Sequence, residues 1–203
     1  MYAIFRIVIA ITIAGCFAFP VGVNADESQA SPGKILIIYY SRTGNTKAAC
    51  EVLQKELGCD IIEIKDTKNR EGRWGYYTAA FGSIFGTHTG IDPDTFDLAP
   101  YTTVIIGSPI WAGKPSAAIR TFIAENRFDG KRVIPVFTTN VILKETSMDR
   151  TRKLVLKSGG QVSSCFQIAV TEEIDGEKVA LPQEHIVDDA VKIAGKISKA
   201  LLQ

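Results

Sequence analysis

A doubly wound α/β fold, with a five-stranded parallel sheet between two helical layers in a three-layer sandwich, is the fold class this sequence predicts. Two patterns point to it. Short, nearly continuous runs of β-branched and apolar residues recur at 34–40, 102–106, 132–137 and 162–170, as expected of strands buried on both faces. Between them lie longer segments with helical spacing of apolar residues, and strands alternating with helices imply right-handed crossovers and a parallel sheet. At 203 residues the chain has room for one such domain with a full core.

The first 25 residues stand outside that fold. A single positive charge, Arg6, precedes the apolar run Ile7–Phe19; Pro20 breaks the run, and Val23-Asn24-Ala25 offers small residues for cleavage before Asp26. This is the pattern of a secretory signal peptide. Its 13 apolar residues fall short of the roughly 20 that span a bilayer, so no stable membrane span is expected after cleavage. Ile13-Ala14-Gly15-Cys16 also resembles a bacterial lipobox, which would leave a lipid on Cys16. The expected location is therefore exported, periplasmic or secreted. Residues 26–33 are polar and breaker-rich, a short tether before a domain at 34–203.

Removing residues 1–25 takes away one basic residue and no acidic one, leaving 22 of each sign and no net charge. That balance excludes the basic footprint of a nucleic-acid binder. The hydrophobic fraction of 46% and charged fraction of 22% are those of a globular chain, not a disordered one. The mature chain keeps Cys50, Cys59 and Cys165, with no metal-ligand spacing among them; they read as small apolar core residues, at least one of them unpaired.

The domain opens with a strand at Lys34–Tyr40. A helix follows at Thr46–Leu57, with apolar positions Ala49, Val52, Leu53 and Leu57, then a short second strand at Asp60–Lys65. The long stretch from Arg70 to Tyr101 must hold the second crossover helix; its aromatics, Trp74 among them, read as packing, and His88 stands isolated. Thr102–Ile106 is the third strand and Pro115–Glu125 a helix with proline in its first turn. Arg132–Phe137 is the fourth strand, Glu145–Lys157 a helix stopped by Gly159-Gly160, Val162–Val170 the fifth strand and Glu184–Leu202 the closing helix. Five strands of this kind fit half of a dinucleotide fold or the order 2-1-3-4-5, and periodicity does not choose between them. In both, ligands sit beyond the carboxyl ends of the strands.

The loop after strand one is Ser41-Arg42-Thr43-Gly44-Asn45-Thr46, and it opens directly into a helix. Free backbone N–H groups and the positive dipole end make such a helix start an anion site. Gly44 permits unusual dihedrals, and the hydroxyls of Ser41, Thr43 and Thr46 with the amide of Asn45 can each donate to a phosphate oxygen. The loop lacks the glycine spacing of a dinucleotide fingerprint and the Gly-Lys-Ser/Thr ending of a P-loop. It is sized for one terminal phosphate; a plain helix N-cap would need only one of its hydroxyls.

The pattern Ser/Thr-x-Thr-Gly-x-Thr after a first strand resembles the FMN phosphate loop of the flavodoxin family. That resemblance spans residues 34–203 and implies the strand order 2-1-3-4-5 and non-covalently bound FMN. Its second specific part is Gly107-Ser108-Pro109-Ile110-Trp111-Ala112-Gly113-Lys114 after strand three. By resemblance Ser108, Pro109, Trp111, Ala112 and Gly113 surround the flavin ring, with Trp111 stacked on it; a core tryptophan is the rival reading. The Ala112–Gly113 peptide is implied to offer a carbonyl to flavin N5–H, a plain turn being the alternative. Lys114 is either a cation near the ring or a solvated surface residue. Thr138 and Thr139, in the loop Thr138-Thr139-Asn140-Val141 after strand four, are implied to close the other side, where many flavodoxins place a tyrosine and this chain has none.

No acid, base or nucleophile constellation stands out. The resemblance therefore implies an FMN electron carrier outside the cytoplasm, serving a redox partner protein or a small electron acceptor. An FMN-dependent reductase of quinones or other small acceptors and a non-catalytic FMN binder are the alternatives, because flavins carry their own chemistry.

Overall fold

The computed structural model describes residues 33–67, 89–143 and 145–203. The leader with Cys16, residues 26–32 of the tether, and the stretch 68–88 with Trp74 and His88 lie outside the described residues.

From its start the chain runs β1 (Ile35–Tyr39), α1 (Asn45–Leu57), β2 (Asp60–Glu63), and the short strands β3 (Lys65–Asp66) and β4 (Ile91–Asp92). There follow β5 (Thr103–Trp111), β6 (Lys114–Pro115), α2 (Ala117–Glu125), β7 (Arg132–Thr139) and α3 (Glu145–Lys157). The last elements are β8 (Gln161–Val162), β9 (Phe166–Ala169), the pair β10 (Thr171–Ile174) and β11 (Glu177–Ala180), and α4 (Gln183–Leu201).

The main sheet has the order β2-β1-β5-β7-β8, with β9 also on β7, and every pairing along that path is parallel. In terms of the five expected strands this is 2-1-3-4-5. The order reverses between β1 and β5, which places the ligand crevice at their carboxyl ends. Alternate residues of the central strands feed two cores. Ile35, Ile37, Ile105 and Ile134 pack under α1 and α4 with Leu53, Ile193 and Ile197. Leu36, Ile38, Val104 and Val133 pack under α2 and α3 with Ile119, Phe122 and Val155.

Four elements differ from expectation. Strand three does not stop at Ile106: β5 continues to Trp111 because Gly107, Ser108 and Pro109 stay paired with Val136, Phe137 and Thr138 of β7. It then folds back on itself, Ile110 facing Pro115 and Trp111 facing Lys114. Pro115 therefore belongs to β6 rather than to a first helical turn, and α2 starts after its own cap, Ser116, whose Oγ accepts from Ile119 N at 3.4 Å.

The fifth strand is split. Val133 pairs with Val162 but Val136 pairs with Phe166, so the edge carries one residue more than β7 over this stretch. The extra residue falls between those two pairings, alongside a stretch of β7 that holds Pro135, which has no N–H to donate, and prolines within sheets are found at bulges. Finally, β10 and β11 form an unanticipated antiparallel hairpin across Asp175-Gly176, both in the left-handed region at φ 51° and 82°. Positive φ at both turn positions suits the right-handed twist of a hairpin.

Candidate functional site

β1 ends buried, and Tyr40 N donates to the Gly107 carbonyl at 3.1 Å before the chain leaves the sheet at Ser41. Gly44 takes φ 91°, a conformation disfavoured for other residues, and turns the chain into α1. No side chain caps this helix, and its first turn carries no acid. Its leading N–H groups and dipole are thus left for an anion, in contrast to α2 with its serine cap. None of the loop hydroxyls is used as an N-cap. Ser41 Oγ is buried and has no hydrogen-bond partner, an arrangement that costs stability unless an acceptor or donor reaches it.

Thr46 is 3% exposed, and its Oγ1 shares a hydrogen bond of 2.7 Å with Thr138 Oγ1 at the end of β7. The start of α1 can come this close to the sheet because residue 107 has no side chain. A Cβ there would collide with Cys50 Sγ and lie 2.7 Å from Tyr39 Cβ and 3.4 Å from Thr46 Cγ2.

Beside the loop lies a cavity of about 410 Å³. Thr43, Asn45 and Thr46 line it from the α1 side, Pro109, Trp111, Ala112 and Gly113 from the end of β5, and Thr138 and Thr139 from the end of β7. These expected residues, distant in sequence, converge on one space. Three do not line it. Ser41 and Gly44 shape the loop behind it, and Ser108 is fully buried, its Oγ donating to the Pro109 carbonyl at 2.9 Å and accepting from Ser116 N at 3.0 Å. Ser108 therefore ties β5 to the start of α2 and faces away from any ligand.

Trp111 is half-buried and meets Tyr40 edge-on, ring centroids 6.0 Å apart at 85°. Neither reading of it alone is complete, since the same ring joins a core cluster and lines the cavity. Ala112 and Gly113 have φ 48° and 71°, a tight turn with both residues in the left-handed region. The left-handed conformation costs a non-glycine residue such as Ala112 about 1–2 kcal/mol. Lys114 lines a different cavity, between α2 and α3.

Six further residues complete the wall: Arg42, Ile110, Asn140, Val141, Leu143 and Val170. Where the family resemblance calls for a tyrosine after strand four, the wall is aliphatic. Gln167 holds that loop by bonding both the N–H and the carbonyl of Leu143, at 2.8 and 3.0 Å. Thr171 Oγ1 donates to the Asn140 carbonyl at 2.8 Å. Val170 was findable from the rule that ligands sit at strand carboxyl ends, since it ends the expected fifth strand.

The three cysteines offer no thiolate nucleophile at neutral pH. Cys50, Cys59 and Cys165 are free. Burial pushes the Cys50 thiol far up, Cys59 up to about 11 and Cys165 up to about 12, so all three stay protonated at neutral pH. Among the described residues no cluster of His, Cys, Asp or Glu could hold a metal ion, and no helix is long and apolar enough to cross a membrane.

Comparison with protein-family models and with curated proteins gives no match. Solved structures do match. A flavoprotein from Lactobacillus acidophilus NCFM, in complex with FMN, is 24% identical with a TM-score of 0.56, over 66% of this chain and 93% of that one. A candidate flavoprotein from Bacteroides uniformis ATCC 8492 is 20% identical with a TM-score of 0.59, over 77% and 96% of the two chains. A second, from Bacteroides eggerthii DSM 20697, is 20% identical with a TM-score of 0.55, over 80% and 98%. With the strand order 2-1-3-4-5 and these neighbours, the chain has the flavodoxin-like fold.

Proposed function

We propose that this chain binds FMN in the cavity at the start of α1 and works as an electron carrier outside the cytoplasm. The observation that carries the reading is the helix start itself: an uncapped α1 with a buried, unpartnered Ser41 hydroxyl beside it. A terminal phosphate has the charge for the dipole and the acceptors for the donors. That one structural neighbour is in complex with FMN supports the same ligand here.

The roles follow from position. Ser41, Thr43, Asn45 and Thr46 hold the phosphate with the N–H groups of α1, and Gly44 lets the backbone turn around it. Thr138 positions the Thr46 hydroxyl through their shared hydrogen bond. Pro109, Trp111, Ala112 and Gly113 pack on the ring, Ser108 braces them from behind, and Thr139 with the aliphatic residues closes the remaining side. Bound FMN supplies one- and two-electron transfer; the chain supplies orientation and a partly dry enclosure.

Carriage is supported by the charge of the hairpin that leads away from the cavity wall. The hairpin that begins one residue after Val170 carries Glu172, Glu173, Asp175 and Glu177 against Lys178, all exposed. An exposed acidic hairpin of this kind steers a basic redox partner even though the mature chain is neutral overall. The second reading, a reductase of small acceptors, draws on the aliphatic wall, where Val141 is 54% exposed and leaves room for a small molecule. Export rests on the composition of residues 1–25.

One experiment separates these readings. Protein is recovered from outside the cytoplasm with its N-terminus at Asp26, loaded with FMN, and mixed with NADH or NADPH and a quinone. A carrier consumes nicotinamide no faster than free FMN does. Sustained turnover transfers the assignment to the reductase, and recovery of uncleaved chain in the cytoplasm alone removes the export proposal.

A further inference from the structure

A second cavity, of about 620 Å³, lies between α2 and α3 and below the β5–β6 turn. Among the described residues that line it, Lys114, Arg120, Arg127, Arg150, Lys153 and Lys157 are basic and none is acidic. Arg150, Lys153 and Lys157 are spaced three and four apart on α3 and so share one helix face, where like charges repel. Among the described residues no carboxylate forms an ion pair with these three; the nearby Asp149 pairs with Arg152 instead. Arg120 is only 7% exposed and its Nη1 donates to the Pro115 carbonyl at 3.3 Å, which fixes one cation at the cavity wall. Arg127 is anchored from the other side, Nη1 donating to the Lys157 carbonyl at 3.4 Å.

The rest of the described lining is apolar apart from Ser158. Ile123, Ala124 and Leu154 supply it, and Ser158 Oγ closes the space beneath by donating to the Ile123 carbonyl at 2.6 Å. Positive charge gathered over an apolar floor recognises an anion that also has an apolar body. The concave shape decides which kind. A membrane surface needs a flat or protruding basic face, and a protein partner needs a broader one, whereas a cavity of several hundred cubic ångströms is the size that takes a small molecule.

From the cation cluster, its apolar floor and its concave shape, we propose that this open cavity is a binding site for a small, multiply phosphorylated molecule with an apolar body, the chemistry of a nucleotide. The guanidinium groups of Arg127 and Arg150 offer forked donors to phosphate oxygens, and Lys153 and Lys157 add point charges. The site is separate from the α1 loop. Trp111, Ala112 and Gly113 line one cavity and Lys114 and Pro115 the other, so one tight turn stands between them.

The test is calorimetric titration of the mature chain with ADP and with pyrophosphate as probes, at two ionic strengths. ADP is expected to bind more tightly than pyrophosphate, because only ADP uses the apolar floor, and to bind more weakly as salt rises. Arg150→Glu with Lys153→Glu should weaken ADP at least tenfold while leaving FMN affinity unchanged. Thr43→Ala with Thr46→Ala should leave ADP affinity unchanged, so failure here and failure of the FMN reading are distinguishable. Arg150→Gln with Lys153→Gln gives the same answer, at smaller size, if the glutamates prevent folding. Absence of ADP binding at millimolar concentration overturns the proposal. So does loss of ADP binding in the threonine variant alone, which would place ADP on the α1 loop. Binding to phosphatidylglycerol vesicles that the charge variants abolish and ADP does not compete for would replace it with a membrane-facing surface.

Discussion

The double variant Thr43→Ala, Thr46→Ala is expected to bind FMN at least about tenfold more weakly than the native chain, with a much smaller loss for riboflavin. Hydrogen bonds to a charged group are worth roughly 1.5–3 kcal/mol each, and each 1.4 kcal/mol is about a tenfold change in affinity. Two donors to a dianion are removed together, so tenfold is the conservative end. The structure adds a second consequence. Thr46 Oγ1 is the partner of Thr138 Oγ1, both buried, and truncation leaves Thr138 without it, at about 1–3 kcal/mol. Riboflavin senses that structural part and not the phosphate part, so the difference between the two ligands isolates the phosphate. Flavin fluorescence titration measures both. Equal losses for FMN and riboflavin would move the phosphate away from the α1 loop.

Gly107→Ala is expected to destabilise the chain by about 1–3 kcal/mol, the usual cost of overpacking a filled core. At this chain length that corresponds to a melting-point drop of roughly 2–4 °C per kcal/mol. The added methyl meets Cys50 Sγ and Tyr39 Cβ, and it reaches Thr46 Cγ2 at 3.4 Å. Relief requires α1 to lift from the sheet, and α1 carries the phosphate loop at its start. FMN affinity should therefore fall along with stability, although residue 107 does not itself line the cavity. Thermal unfolding with and without FMN reads both effects. An unchanged melting point would mean that α1 does not rest on residue 107.

The order of strands and helices was legible because a parallel sheet buries both faces of each strand, and Lys34–Tyr40 shows this without any context. What escaped was governed by neighbours. Ser108 and Pro109 punctuate the sequence like a loop, yet pairing with Phe137 and Thr138 keeps them in β5. The bulge between the Val133 and Val136 pairings depends on how two strands meet. The Asp175-Gly176 hairpin did carry a local signal, but its flanking glutamates hide the alternation that would have marked two strands.

The same division holds for the sites. An anion site at a helix start is built from consecutive residues, so Ser41–Thr46 could be read directly. The wall of Val141, Leu143 and Val170 depends on two chain segments meeting, and the basic cavity draws cations from β6, α2, the residues after it, and α3. Neither exists as a pattern along the chain.

The central claim, that the uncapped start of α1 holds the FMN phosphate, is tested most directly by a crystal structure of the mature chain with FMN. The account predicts the phosphate within hydrogen-bond distance, about 2.5–3.2 Å, of Ser41 Oγ and of the first backbone N–H groups of α1, with the ring against Trp111. A phosphate bound elsewhere, or a loop in which Ser41 Oγ stays buried and unpartnered beside bound FMN, would contradict it.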